Sequence, residues 1–91
     1  MEEIFEKYEN ILGNELMTDI SEYIGQSMDV LKYRHKEPTD EFWENVKNDT
    51  YEYITNDSPF FEEKHKDLLK EISEWIDLDI EAAKEFCKEN F

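Results

Sequence analysis

Apolar residues recur at steps of three and four along almost the whole chain, and residues that interrupt helices are nearly absent. Only two glycines and two prolines occur in 91 residues. Steps of three and four gather side chains on one face of an α-helix, so the chain is confined to helices with few places to turn. From Glu2 to Leu12 the apolar positions are Ile4, Phe5, Tyr8, Ile11 and Leu12. Gly13 suits the position just past a helix end, where positive φ costs little, and Asn14 suits the cap of the next helix. A second helix is expected from about Glu15 to His35, with Leu16, Met17, Ile20, Tyr23, Ile24, Met28 and Leu31 on one side. Gly25 lies inside it at a cost of about 1 kcal/mol relative to Ala and is expected to admit a neighbouring helix at close range.

Pro38 closes the next connection, and Thr39 or Asp40 can cap helix three, whose spacing reads Phe42, Trp43, Val46, Thr50, Tyr53 and Ile54. Its end, Thr50 to Thr55, has strand-like composition, but the periodicity favours helix. Asn56-Asp57-Ser58-Pro59 is a turn signal that places Ser58 as a cap and Pro59 at a first helical position. Helix four then carries Phe61, His65, Leu68, Leu69, Ile72, Trp75 and Ile76. The phase slips around Asp77-Leu78-Asp79, so Asp79 is expected to cap a short last helix with Ile80, Ala83, Phe86 and Cys87 inward. No segment alternates with period two. The expectation is an all-α, single-domain bundle of four to five short helices over residues 1–91.

A chain of this size buries roughly 60–65% of the surface its unfolded form exposes, so its core must be dense in large side chains. Leu, Ile, Val and Phe supply 22 residues, and five Tyr and two Trp add bulk. The charge is the outlying feature: 25 acidic residues against 10 basic, a formal net charge of −15. Direct binding to nucleic acid or to an anionic membrane calls for clustered Lys and Arg, so both are excluded as partners, and a basic protein is the complementary one. Cys87 is the only cysteine. No intrachain disulfide or cysteine-based zinc site can form, and a reducing cytoplasm is the expected compartment. The start, Met1 to Glu6, has neither the basic nor the apolar stretch of a signal peptide, and no apolar run has transmembrane length.

The carboxylates are arranged. On helix two Glu15, Asp19, Glu22 and Asp29 fall within about 80° of one another, opposite the apolar side. Helix four is expected to repeat the pattern with Glu63, Asp67, Glu74 and Asp77. Solvated faces of amphipathic helices account for carboxylates as such. They do not account for like pairs four apart, such as Glu15 and Asp19, which destabilise a helix where Glu–Lys pairs would stabilise it. A row with one charge per roughly 6 Å is about threefold sparser than duplex DNA, at one per about 1.7 Å, so several rows together would approach a nucleic-acid-like field. The one basic cluster, Lys32, Arg34, His35 and Lys36, suits a helix C-terminus or a contact with an acidic face of a second copy.

Catalytic and metal patterns are incomplete. Glu62-x-x-His65 is one half of a di-iron bundle motif, and the other half is missing. Asp77-x-Asp79-x-Glu81 opens like a calcium loop, but Ala82 stands where Gly is needed and Lys88 where the bidentate Glu belongs. Cys87 reads as a packing residue, and two glycines do not build a phosphate loop. No catalytic residue, metal site or cofactor is expected, and the chain reads as a non-enzyme.

Tyr51-Glu52-Tyr53, followed by Asp57-Ser58-Pro59 and Lys70-Glu71-Ile72-Ser73-Glu74-Trp75, loosely resembles the second half of the immunity proteins of nuclease colicins. That family consists of acidic four-helix domains that bind and inhibit a basic nuclease, with two adjacent tyrosines before a proline contacting the toxin. The resemblance implies that Tyr51 and Tyr53 touch a partner; here Glu52 separates them and Thr55 follows Ile54. The reading is therefore an acidic inhibitor that occludes a basic site on a nuclease or other nucleic-acid-binding enzyme, as an immunity protein or a phage anti-defence protein working by nucleic-acid mimicry. Its contact residues would be Glu15, Asp19, Glu22, Asp29, Tyr51, Tyr53, Glu63, Asp67, Glu74 and Asp77. The alternative is a structural or regulatory module that forms a homodimer through Tyr33, Phe60, Phe61 and Phe91.

Overall fold

The computed structural model describes the backbone of residues 2–34 and 38–90 and the side chains of residues 3–30 and 38–89. They form four α-helices, α1 (Glu2–Leu12), α2 (Asn14–Arg34), α3 (Asp40–Asn56) and α4 (Leu69–Asn90), with a 3₁₀ turn at Glu63–Asp67. Among the described residues there is no strand, and the fold is an all-α bundle. α2 and α4 pack against each other, and α1 and α3 each pack against both. The core along these seams is aliphatic, with Leu12, Leu16, Ile20, Ile24, Ile54, Ile72 and Ile76 almost fully buried and Trp43 and Trp75 closing the ends.

The chain turns from α1 into α2 in a single residue. Gly13 has φ +88°, a conformation that L side chains rarely adopt. Its amide donates to the Glu9 carbonyl at 2.9 Å, and its own carbonyl accepts the Met17 amide at 3.2 Å. Gly13 therefore ends one helix and caps the next, which corrects the cap expected at Asn14. Among the described residues Gly25 faces no close neighbour: a Cβ there would meet nothing within 4 Å, so none of them makes the expected close helix approach. α3 begins as expected, with the Thr39 hydroxyl accepting the Phe42 amide at 3.1 Å. It continues through the strand-like residues because Trp43, Val46, Thr50 and Ile54 make one buried stripe. At its end the Thr55 hydroxyl donates to the Tyr51 carbonyl at 2.9 Å and the Asn56 amide group to the Glu52 carbonyl at 2.9 Å. Such side chains draw the last carbonyls away from a continuing helix.

Two boundaries differ from the sequence reading. The helix expected after Pro59 begins only at Leu69, because Ser58 and His65 use their side chains to fold a connection instead. Ser58 donates its hydroxyl to Asp19 of α2 at 2.5 Å. His65, 2% exposed, accepts the Glu62 amide on Nδ1 at 2.8 Å. Its Nε2 lies 2.8 Å from the Leu12 carbonyl; since Nδ1 is the acceptor, Nε2 carries the proton and donates. The second difference is that α4 runs unbroken through Asp77-Leu78-Asp79. Asp79 caps nothing and accepts the Ser21 hydroxyl of α2 at 2.7 Å, while Phe86, expected inward, is 56% exposed. The phase slip marks a change in which neighbours α4 touches.

Removing the His65 ring leaves a buried carbonyl and an amide unpaired beside a cavity, so His65→Ala is expected to lower unfolding free energy in urea by about 2–4 kcal/mol. Thr50 has the opposite problem: it is 0% exposed and its hydroxyl has no hydrogen-bond partner among the described residues. Thr50→Val is therefore expected to stabilise by about 1 kcal/mol in the same measurement.

Candidate protein-binding surface

The seam between α2 and α3 is organised by one carboxylate. Asp19 accepts the Tyr53 hydroxyl at 3.3 Å on one oxygen and the Ser58 hydroxyl on the other. The Tyr23 ring stacks on Tyr53 with centroids 4.6 Å apart and planes 11° from parallel. Burial, then the negative charge of Asp19 and the hydrogen bond to it, raise the Tyr53 hydroxyl above its ordinary pKa. Asp19 was expected to face a partner; it is half-buried and mainly holds the α3–α4 connection against α2. Tyr23 and Tyr53, both half-buried, present their remaining surface along this seam.

On either side of the seam most of the outward side chains are acidic or amide, with Thr18 and Val30 among them on α2. On α2, Glu15, Glu22 and Asp29 are exposed and make no ion pair or hydrogen bond among the described residues. On α3 the exposed residues include Glu41, Glu44, Asn45, Asn48, Asp49 and Glu52, again without side-chain partners. At about 100° per residue these six span roughly 140° of the helix. Asp49 and Tyr53, four apart, share the edge nearest α2. Lys47, the sole lysine of α3, is turned the other way and pairs with Asp77 of α4 at 3.1 Å. The α3 face was missed in the sequence. The available signal was its five carboxylates against one lysine, with that lysine about 60° beyond Glu44 at the edge of the acidic arc.

The second expected row does not form. Glu63 and Asp67 lie on the 3₁₀ turn, outside α4. Glu63 pairs with Lys66 at 2.8 Å, Asp77 with Lys47, and Glu74 accepts the Tyr8 hydroxyl of α1 at 2.6 Å. Asp67 is exposed. Other described lysines are paired nearby, Lys64 with Glu62, Lys70 with Glu74, Lys84 with Glu81 and Lys88 with Glu85, whereas Lys7 of α1 lies over the Tyr8 ring, 5.3 Å from its centroid. Tyr51 is separated from Tyr53, lining a hollow between α3 and α4 with Leu69, Lys70 and Ser73. The side chains of the basic cluster at Lys32, Arg34, His35 and Lys36, and of Tyr33 and Phe91, lie outside the described residues. Phe60 is 38% exposed, whereas Phe61 packs against the core and against His65, with ring centroids 5.8 Å apart.

Asp77, Asp79 and Glu81 each turn to a different partner, Lys47, Ser21 and Lys84. Among the described residues no group of three His, Cys, Asp or Glu is placed to hold a metal ion. Cys87 is buried, and burial pushes its thiol up in pKa, away from the reactive thiolate. Burial likewise raises the Asp79 carboxyl, with the Ser21 hydrogen bond opposing. No family model, curated protein or solved structure matches the chain. No described helix is long and apolar enough to cross a membrane.

The Tyr8–Glu74 bond supplies a pH test. The hydrogen bond to Glu74, then burial, pushes the Tyr8 hydroxyl from 10.0 up to about 12. Between those values the folded chain holds a proton that the unfolded chain has released, so stability is full below pH 10 and declines as pH rises toward 12. Tyr8→Phe is expected to be less stable than the parent by about 1 kcal/mol at neutral pH, with the difference narrowing across that alkaline window in pH-dependent urea melts.

Proposed function

We propose that this chain is a non-enzymatic, cytoplasmic binding protein that occludes a basic site on a protein partner, of the kind found on nucleases and other nucleic-acid-binding enzymes, and inhibits it. The observation that carries the reading is the α2–α3 face. Carboxylates from two packed helices point outward there, with lysines only at the Glu44 edge, while the described lysines of α3, α4 and the 3₁₀ turn are paired with other carboxylates. Helices in direct contact lie about 8–10 Å apart. Two acidic rows at that separation approach a nucleic-acid-like charge density more closely than either row alone. Tyr23 and Tyr53 supply stacked aromatic surface at the middle of the face, where interfaces concentrate binding energy, and the surrounding carboxylates steer a basic partner and reject acidic ones.

An immunity protein and a phage anti-defence protein share this physics, and both belong to the proposal. It moves the contact from Tyr51 and the expected row on α4 to Tyr53, Tyr23 and the α3 carboxylates. Glu15, Glu22 and Asp29 remain in it.

The test is capture of a partner on the immobilised chain, followed by affinity measurement across ionic strength. A basic partner is expected, displaced by duplex DNA, with affinity falling at least about tenfold between 50 and 300 mM salt. Glu22→Gln with Asp49→Asn and Glu52→Gln is expected to slow association at low salt and leave the fold intact by circular dichroism. An acidic partner, or affinity indifferent to salt, overturns the reading.

A further inference from the structure

α4 carries two apolar stripes. One, Ile72, Ile76, Ile80, Ala83 and Cys87, is buried in the core. The other begins at Trp75, 9% exposed, and continues through Leu78, 39% exposed, to the exposed Ala82. This is the three-and-four spacing of a helix seam. α1 covers only its start: the Phe5 ring meets Trp75 edge-on, with centroids 5.8 Å apart, and Ile4 and Phe5 remain 42% and 43% exposed. Ile4, Phe5, Trp75, Leu78 and Ala82 thus floor an open groove of 530 Å³ between α1 and α4. It is built on α1 and α4, and its lining is mainly apolar with charged residues at the rim, the make-up of a binding groove.

The rim narrows what covers it. The charged residues lining the groove are Asp79, Glu81 and Glu85, all acids. Lys84 and Lys88 pair with Glu81 and Glu85 and line the adjoining hollow, which shares Glu81 with the groove, so Asp79 is the rim acid without a lysine. A second copy of the chain would bring its own −15 charge against the −15 of this one. A cationic segment meets complementary charge instead. From Trp75 to Glu85 the helix rises about 15 Å, enough to seat two to three turns of a helix anchored at i, i+4 and i+7.

We propose that the α1–α4 groove binds an amphipathic helical segment of a partner protein, apolar on one face and rich in lysine or arginine on its flanks. The site is built on α1 and α4 and stands whether or not the α2–α3 surface inhibits an enzyme.

The probe is a labelled synthetic peptide of about 14 residues with leucines at helical spacing and lysines on the flanks, followed by fluorescence anisotropy at about 150 mM salt. Expected is binding at least about tenfold tighter than that of a peptide of equal charge with serine for leucine, and of one with glutamate for lysine. Leu78→Gln, and separately Ala82→Trp to fill the floor, are expected to weaken it at least about fivefold with helical content unchanged. Asp49→Asn with Glu52→Gln is expected to leave it within about twofold, because those residues lie on α3, which does not line the groove. Absent binding overturns the proposal, as does equal binding of the serine or glutamate peptide. So does sedimentation of the parent as a dimer that Leu78→Gln dissociates, which would make a second copy the occupant.

Discussion

His65 ties the connection between α3 and α4 to the end of α1. Its ring accepts the amide of Glu62, three residues before it, and donates to Leu12 across the molecule. The Leu12 carbonyl would otherwise be buried without this partner, and an unpaired backbone group in a core costs as much as a lost hydrogen bond. The bond sets where α4 starts, because the chain must fold a 3₁₀ turn around the ring before it can run as an α-helix. It also sets the placement of α4 against α1, and through that the Tyr8–Glu74 bond and the meeting of Phe5 with Trp75.

A second constraint is the excess of negative charge. The chain's internal polar seams take up carboxylates as acceptors: Asp19 receives Tyr53 and Ser58, Glu74 receives Tyr8, and Asp79 receives Ser21. These acids join helices to one another instead of facing outward. What remains unneutralised is unevenly distributed, since the lysines of α4 and the 3₁₀ turn pair with acids two to four residues away, and Lys47 reaches across to Asp77. Exposed pairs of this kind contribute little to stability, but they decide which surface stays acidic. The α2–α3 face keeps its charge because described lysines reach it only at the Glu44 edge.

The two proposed contacts follow from that division. The α2–α3 face offers charge and stacked tyrosines over a flat helix pair, suited to a broad basic site. The α1–α4 groove offers apolar depth with an acidic edge, suited to a single helix. One arises from unpaired carboxylates and the other from a helix of 22 residues packed against one of 11, which leaves apolar surface uncovered on the longer partner.

The helical class, the positions of α1, α2 and α3, the turn at Gly13, the Thr39 cap and most of the core were legible in the sequence. Each follows from local spacing or from the φ preference of one residue. The start of α4, the outward turn of Phe86, the internal roles of Asp19 and Glu74 and the parting of Tyr51 from Tyr53 were not. These depend on which side chain of one helix meets which side chain of another. A carboxylate four residues from its neighbour has the same periodicity whether it faces water or a tyrosine hydroxyl from a distant helix. A histidine on an apolar face likewise shows no sign of the carbonyl it will find 53 residues away. Periodicity reports how residues are arranged around one helix axis; only packing decides what each face will touch.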